Sequence, residues 1–70
     1  MVPLDLVDIG KESVIKKVGG SPDVKKHLED LGFTAGGLVT VVSAMGGNVI
    51  VKVKESRIAI SREMARRIMI

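Results

Sequence analysis

Seventy residues make one small domain, which buries only about 60% of the surface that its unfolded chain exposes, so its margin of stability is narrow. The chain is 46% apolar and 27% charged, the balance of a globular rather than a disordered protein. One histidine and no cysteine exclude disulfides, the common zinc sites and a Cys/His nucleophile pair. We therefore expect a single domain over residues 1–70 that is stabilised by packing.

Neither an active site nor a membrane segment is predicted. The chain has no well-placed Ser/His/Asp set and no Gly-x-x-x-x-Gly-Lys phosphate loop, so we expect no enzyme and no cofactor. Its apolar runs are far shorter than the roughly 20 residues that cross a bilayer. Asp5 and Asp8 interrupt what would have to be the apolar core of a signal peptide. The sequence therefore predicts a cytoplasmic protein.

The net charge of +3 permits an acidic partner without requiring one. Proteins that bind single-stranded nucleic acid usually stack bases on several aromatic side chains, and Phe33 is the only aromatic residue here. We therefore expect no nucleic-acid partner. A small basic barrel that binds nucleic acid stays open as an alternative, which a strong salt dependence of RNA binding would favour.

Glycines divide the chain into short segments, as in an all-β barrel or sandwich. The segment 12–18, rich in β-branched residues, predicts one strand. Ser21 is a natural helix N-cap and Pro22 fits the first helical position, while Gly32 suits a left-handed C-terminal cap with Phe33 folding back on Leu28. These signals predict a helix over residues 22–31.

The second half of the chain predicts a hairpin and a closing strand. The β-prone run 38–43 and the alternating run 49–54 flank a tight turn at Gly46-Gly47-Asn48. Glu55-Ser56 turns the chain into another strand over 57–60. A helical turn over about 62–67, capped by Ser61, then precedes an extended C-terminus. The prediction is a mostly β fold, a small barrel of about five strands with one inserted helix.

Several segments taken together resemble the FeoA family. They are the Leu-x-x-Leu-Gly-Phe-x-x-Gly helix exit at 28–36 and the ending Ile58-Ala59-Ile60 followed by Ala65 and Ile68. The resemblance covers essentially the whole chain. It implies an SH3-like β-barrel, a fold module that also occurs as the C-terminal domain of DtxR-type metal-dependent repressors. It further implies an accessory protein of bacterial ferrous iron uptake that contacts FeoB, a membrane transporter with a cytoplasmic GTPase domain.

Metal binding by this chain itself is a weaker hypothesis. His27 offers the only imidazole, and Asp30 lies three residues later on the predicted helix, so the two can share a face. Two protein ligands hold a divalent metal poorly, because sites normally need three or more. The carboxylates of Asp23 and Glu29 leave a loose Fe(II) carrier as another open alternative.

Partner binding has better candidates. Basic side chains can meet an acidic face of a partner and speed the encounter, and an arginine such as Arg57 or Arg62 can also supply charge to a GTPase site. Two apolar residues, Ile50 on the lysine face of its strand and Met45 at the hairpin tip, suit adaptable contacts. Exposed strand edges also allow weak self-association. The predicted contact residues are Arg57, Arg62, Arg66, Lys26, Ile50 and Met45.

Overall fold

A computed structural model describes all residues 1–70 and contains six strands, two helices and a 3₁₀ turn. Strands β1, β3, β4 and β5 form a four-stranded sheet in that order, and β2 pairs with β6 in a second, two-stranded sheet. Neither helix is long and apolar enough to cross a membrane. The elements in chain order are the 3₁₀ turn Leu4–Leu6, β1 Glu12–Val14, β2 Lys17–Val18, α1 Pro22–Asp30, β3 Leu38–Met45, β4 Asn48–Val53, β5 Ser56–Ser61, α2 Arg62–Ala65 and β6 Ile68–Met69.

Helix α1 begins and ends as its sequence predicts. The Ser21 Oγ accepts a hydrogen bond from the Val24 amide at 3.4 Å, and Pro22 occupies the first turn. At the other end, the Phe33 amide donates to the Leu28 carbonyl and the Gly32 amide to the Glu29 carbonyl, both at 3.0 Å. These two bonds are a Schellman motif, and they require the positive φ of 107° at Gly32. Residue 31 becomes the C-cap, so the helix ends one residue earlier than predicted.

The predicted hairpin is present and continues into a three-stranded meander, β3–β4–β5. Val49, Val51 and Val53 are buried on the core side of β4, as the alternation of the sequence predicts. Two-residue loops connect the strands, since the last paired residues are Met45 with Asn48 and Val53 with Ser56. The second turn therefore lies at residues 54–55, one residue earlier than predicted. β5 is correspondingly longer, spanning Ser56–Ser61.

The single strand predicted over residues 12–18 is wrong. Its first part is β1, which pairs with β3, and its last part is β2, which pairs with β6. Between them the Ile15 amide bonds to the Gly37 carbonyl and the Lys16 amide to the Met69 carbonyl, so the chain passes from one sheet to the other. This crossing places both Ile15 and Val18 in the core, which one straight strand with strict alternation could not do.

The two ends of the chain close the barrel together. The amides of Val2 and Ile70 each donate to the other's carbonyl, at 3.0 and 2.8 Å, and the Gly19 amide donates to the Arg67 carbonyl at 2.7 Å. The extended C-terminus is thus paired, as predicted. The 3₁₀ turn, which buries Leu4, had no sequence signal. One core of thirteen residues results: Leu4, Ile15, Val18, Leu28, Phe33, Val39, Val41, Val49, Val51, Val53, Ile60, Ala65 and Ile68.

Candidate protein-interaction surface

The side of the four-stranded sheet that faces away from the core collects several of the predicted contact residues. We call this side the outer face. Residues on neighbouring strands line up in rows across it, because the β-ladders are in regular register apart from one irregularity in β3 between Val41 and Ser43. The rows bring together apolar and basic side chains from all four strands. They are Val14 with Leu38; Glu12, Thr40, Lys52 and Arg57; Ser43, Ile50 and Ala59; and Met45, Asn48 and Ser61.

Like charges lie directly opposite each other in the basic row. Lys52 of β4 pairs with Arg57 of β5, and both side chains are exposed. The Arg62 amide bonds to the Gly47 carbonyl in the same ladder, so the alternation of an antiparallel pair makes Lys52 and Arg57 a non-hydrogen-bonded pair, the type whose side chains lie closest. Like charges at such positions destabilise a sheet. The structure gives neither residue an acidic partner, since its only ion pair is elsewhere.

Exposed apolar side chains adjoin the basic row. Val14 and Leu38, cross-strand neighbours, remain 47% and 51% exposed. Sequence reasoning missed this pair because it placed Val14 and Ile15 in one strand and could not supply the β1–β3 register. Ile50 lies in the middle of the sheet between Ser43 and Ala59 and is only half-buried. The outer face therefore combines apolar contact area with positive charges that form no ion pair.

The hairpin tip extends the outer face at one end. Met45 is 68% exposed beside the loop of Gly46 and Gly47. Arg62, the first residue of α2, is held next to this loop because its amide donates to the Gly47 carbonyl at 2.9 Å. Arg62 and Met45 thus flank the same tip, and four of the six predicted contact residues (Arg57, Ile50, Met45 and Arg62) lie on or beside the outer face.

Arg66, the fifth predicted contact residue, forms the one ion pair of the structure. Its Nε donates to the Asp5 Oδ2 at 3.1 Å, joining α2 to the 3₁₀ turn near the other end of the chain. The Asp5 side chain is only 7% exposed, and its Oδ1 is buried without a hydrogen-bond partner. Arg66 is therefore the one group that compensates this nearly buried carboxylate. The sequence offered no signal for the pair, whose members are 61 positions apart.

The remaining candidates lie on α1. Lys26, His27 and Asp30 are all exposed there, while Leu28 of the same helix packs into the core. The helix is thus on the core side of the sheet, away from the outer face. The fold assembles no group of three His, Asp or Glu side chains that could hold a metal ion. His27 and Asp30 gain no third ligand from the fold, so a metal site at this position stays a hypothesis.

The pattern of segments on which the resemblance rests extends over the whole fold, and the model of the FeoA domain family matches residues 2–70. The chain belongs to the FeoA family. A protein of Methanocaldococcus jannaschii, provisionally named Fe(2+) transport protein A, is 33% identical over 70 residues, which are all of this chain and 85% of that protein. FeoA proteins are non-enzymatic accessory proteins, so the prediction that the chain is not an enzyme is confirmed.

Solved structures confirm the SH3-like fold. The crystal structure of a FeoA described as an iron uptake regulatory protein superposes with a TM-score of 0.86 at 28% identity, covering 96% of this chain and 89% of that one. FeoA of Stenotrophomonas maltophilia, described as a prokaryotic SH3 domain protein and solved with zinc, gives 0.82 at 24% identity, covering 94% and 85%. A manganese-dependent transcriptional repressor gives 0.85 at 13% identity over 94% of this chain and 38% of that one, which confirms the repressor-domain resemblance.

Proposed function

We propose that this FeoA protein is a cytoplasmic accessory of ferrous iron uptake that contacts the cytoplasmic GTPase part of an FeoB-type transporter through its outer face. Family membership supports the role in ferrous iron transport. The single observation that carries the choice of surface is the Lys52–Arg57 pair, two like charges held opposite each other with no acidic neighbour in ion-pair contact. An acidic partner surface would attract both side chains and would also offset the repulsion between them, so both effects favour binding there.

The apolar part of the outer face gives such a contact its buried centre. Interfaces combine an apolar core with a polar rim, and charged groups on the rim mainly set the rate of encounter and the orientation. Val14 and Leu38 supply exposed apolar area on one side of the basic row, and half-buried Ile50 supplies more on the other. Met45 at the tip adds a flexible side chain that adapts to a partner.

A titration of the isotope-labelled protein with the soluble GTPase domain of FeoB from the same organism tests the proposal, with and without nucleotide. We expect amide shifts to cluster on β3, β4 and β5 and at the hairpin tip. The variant Arg57→Glu should weaken binding at least about tenfold, because truncating or reversing a well-placed interface charge commonly costs that much. Lys26→Glu is the matched control, since it reverses another exposed positive charge, on α1.

Two results would contradict the proposal in different ways. If no amide shifts in any nucleotide state, the protein does not contact the GTPase part directly. If Lys26→Glu weakens binding and Arg57→Glu does not, the contact is real but uses α1 rather than the outer face. The rate of GTP hydrolysis, measured in the same samples with Arg57→Ala and Arg62→Ala, tests whether either arginine supplies charge to the GTPase site.

A further inference from the structure

The two outer strands of the four-stranded sheet differ in how well their free edges are protected. Strand β1 is only three residues long and continues into a chain that bonds to Gly37 and Met69. Strand β5 has six residues and pairs with β4 in an uninterrupted register, without a bulge, a proline or a lysine. Short strands, bulges, prolines and charged side chains, lysine above all, are the usual devices that stop edge-to-edge pairing. β5 has one of them, the charged side chain of Arg57 near its start, and lacks the others.

The free backbone groups of β5 follow from its ladder with β4. The Arg62 amide bonds to the Gly47 carbonyl, so Ile60 and Ile58, at two-residue steps from Arg62, also direct their backbone groups toward β4. The amides of Arg57, Ala59 and Ser61 therefore point away from the sheet. No backbone or side-chain hydrogen bond outside the ladders involves these three amides. The carbonyls of Arg57 and Ala59 point outward with them.

We infer that β5 pairs with β5 of a second copy of this chain, antiparallel, with the two-fold axis at Ala59. In this register Ala59 faces Ala59 of the second copy and exchanges two hydrogen bonds with it. The Ser61 amide of each copy donates to the Arg57 carbonyl of the other, giving about four intermolecular bonds in all. The Ser61 carbonyl is not counted, because Ser61 is the N-cap of α2 and its carbonyl lies in the first helical turn.

Repulsion between the Arg57 side chains of the two copies favours this register over the two adjacent registers. Centring the pair on Ala59 puts Arg57 opposite Ser61, so the two arginines are four residues apart along the strands, or roughly 13 Å. A register centred on Ile58 forms as many hydrogen bonds but brings the arginines to diagonal positions about 7–8 Å apart, within reach of long side chains. A register centred on Arg57 places them directly opposite each other. The small Ala59 side chain at the axis leaves the approach of the two strands open.

Side chains on the two faces of the joined sheet also match. On the core side, half-buried Ile58 meets Ile60 of the second copy and loses apolar exposure to water. On the outer face, the rows of Ser43, Ile50 and Ala59 from both copies become continuous across the axis. The dimer therefore carries one outer face of eight strands with two Lys52–Arg57 pairs. The inference stands on the β5 edge alone and does not depend on contact with FeoB.

Sedimentation equilibrium of the full chain from about 10 µM to about 1 mM tests the inference, because a contact of this size is at the weak end of protein interfaces. We expect the average mass to rise from 7.5 kDa toward twice that value. Ala59→Pro should keep the protein monomeric: it removes both amide donors at the axis, while the ladder to β4 loses no bond. A wild-type mass that stays at 7.5 kDa up to 1 mM overturns the inference.

A second variant and a residue-level measurement test the inference even if the proline variant misfolds. Ala59→Lys places two positive charges at the axis and should weaken dimerisation about fivefold; Ala44→Lys, the same change at another exposed site of the sheet, should not. Hydrogen exchange at the Arg57, Ala59 and Ser61 amides should slow as concentration rises, with Ile58 and Ile60 protected throughout. Dimerisation that is as tight in Ala59→Lys as in the wild type, or protection of these amides only when the FeoB domain is added, overturns self-pairing.

Discussion

The meander and the closure of this barrel are built in opposite ways. The meander, β3–β4–β5, joins neighbouring strands through two-residue loops, so nearly all its pairing is local in sequence. The closure consists of the 3₁₀ turn, β2, α2 and β6, and it joins residues from the two ends of the chain, such as Val2 with Ile70. Long-range pairing costs more chain entropy before any contact is gained. The closure must therefore be held by a few well-buried side chains.

The two regions also differ in the groups that they expose to partners. The meander presents the outer face and the β5 edge, where exposed charges and free amides are available to partners. The closure presents few such groups and buries Leu4, Val18, Ala65 and Ile68 almost completely. If the closure is the later and weaker part of the fold, substitutions there should loosen the chain ends first. Substitutions in the meander should destabilise the whole domain.

The largest effect should come from Ile68→Ala in β6. Ile68 is fully buried, so the lost transfer energy and the cavity together should cost about 2–5 kcal/mol, which is a large part of the stability of so small a domain. Urea denaturation gives the total cost. Amide exchange shows where it acts, and we expect the Gly19 and Ile70 amides, which bridge the closure, to lose protection before those of β4.

Ile60→Ala is the matched variant in the meander, where the same side chain is 4% exposed. We expect a cost in the same range, with protection lost together in β4, β5 and the closure, because the closure packs on the meander. Equal loss of protection in both regions for Ile68→Ala would contradict the distinction. The barrel would then open as one cooperative unit.

A smaller effect is expected at the ion pair that fastens α2 to the 3₁₀ turn. Arg66→Ala removes the only partner of the nearly buried Asp5 carboxylate and should cost about 1 kcal/mol, a moderate value because the Arg66 side chain is 62% exposed and screened by water. Arg62→Ala, at the other end of the helical turn that Arg66 caps and without an ion pair, is the control and should cost less than about 0.5 kcal/mol.

A double-mutant cycle tests the physical reason for that cost. Arg66→Ala leaves the nearly buried Asp5 carboxylate without a partner. If this unpaired carboxylate causes the loss of stability, the double variant Asp5→Ala/Arg66→Ala should be more stable than Arg66→Ala, because it no longer contains the buried charge. Additive losses in the cycle would instead mean that the two side chains stabilise the closure independently, through packing.

The same division explains what the sequence could predict. Helix α1 has signals at both ends that act within a few residues, Ser21-Pro22 and Gly32-Phe33, and the structure uses them all. The β3–β4 hairpin was likewise predictable from its local pattern. Local alternation cannot say where a strand changes partner, so the crossing at residues 15–16 was missed. The 3₁₀ turn was missed because Leu4 gains its burial from residues at the other end of the chain.

For the candidate surface, the sequence could predict which residues are exposed but not which of them lie together. The basic residues, Ile50 and Met45 could be named from the sequence, since exposure of a lysine face follows from alternation. Which of them lie together depends on register between strands. The strand register places Lys52 opposite Arg57 and Leu38 beside Val14. The position of α1 on the core side of the sheet keeps Lys26 away from these two pairs. The one-residue shift of the second turn, to residues 54–55, is what sets the Lys52–Arg57 pairing.

That turn supports the smallest prediction, because the two loops of the meander share a geometry but differ in sequence. The first residue of each has a positive φ, 58° at Gly46 and 56° at Lys54. An L-residue in this region costs about 1–2 kcal/mol, whereas glycine adopts it freely at an entropic cost of about 0.5–1 kcal/mol. Lys54→Gly should therefore stabilise the domain by roughly 0.5 kcal/mol, measured by urea denaturation.

Lys52→Gly makes the same change two residues earlier, in the interior of β4, and is the matched control. It removes an equal charge and relieves no strained φ, while the loss of the repulsion with Arg57 offsets part of the cost of glycine within a strand, so it should destabilise by less than about 1 kcal/mol. Opposite signs for the two variants would show that the lysine at the turn is kept at a cost to stability. If both variants lower the free energy of unfolding, the Lys54 side chain makes stabilising contacts that outweigh its backbone strain. The stability of the meander would then depend on more than its local loop geometry.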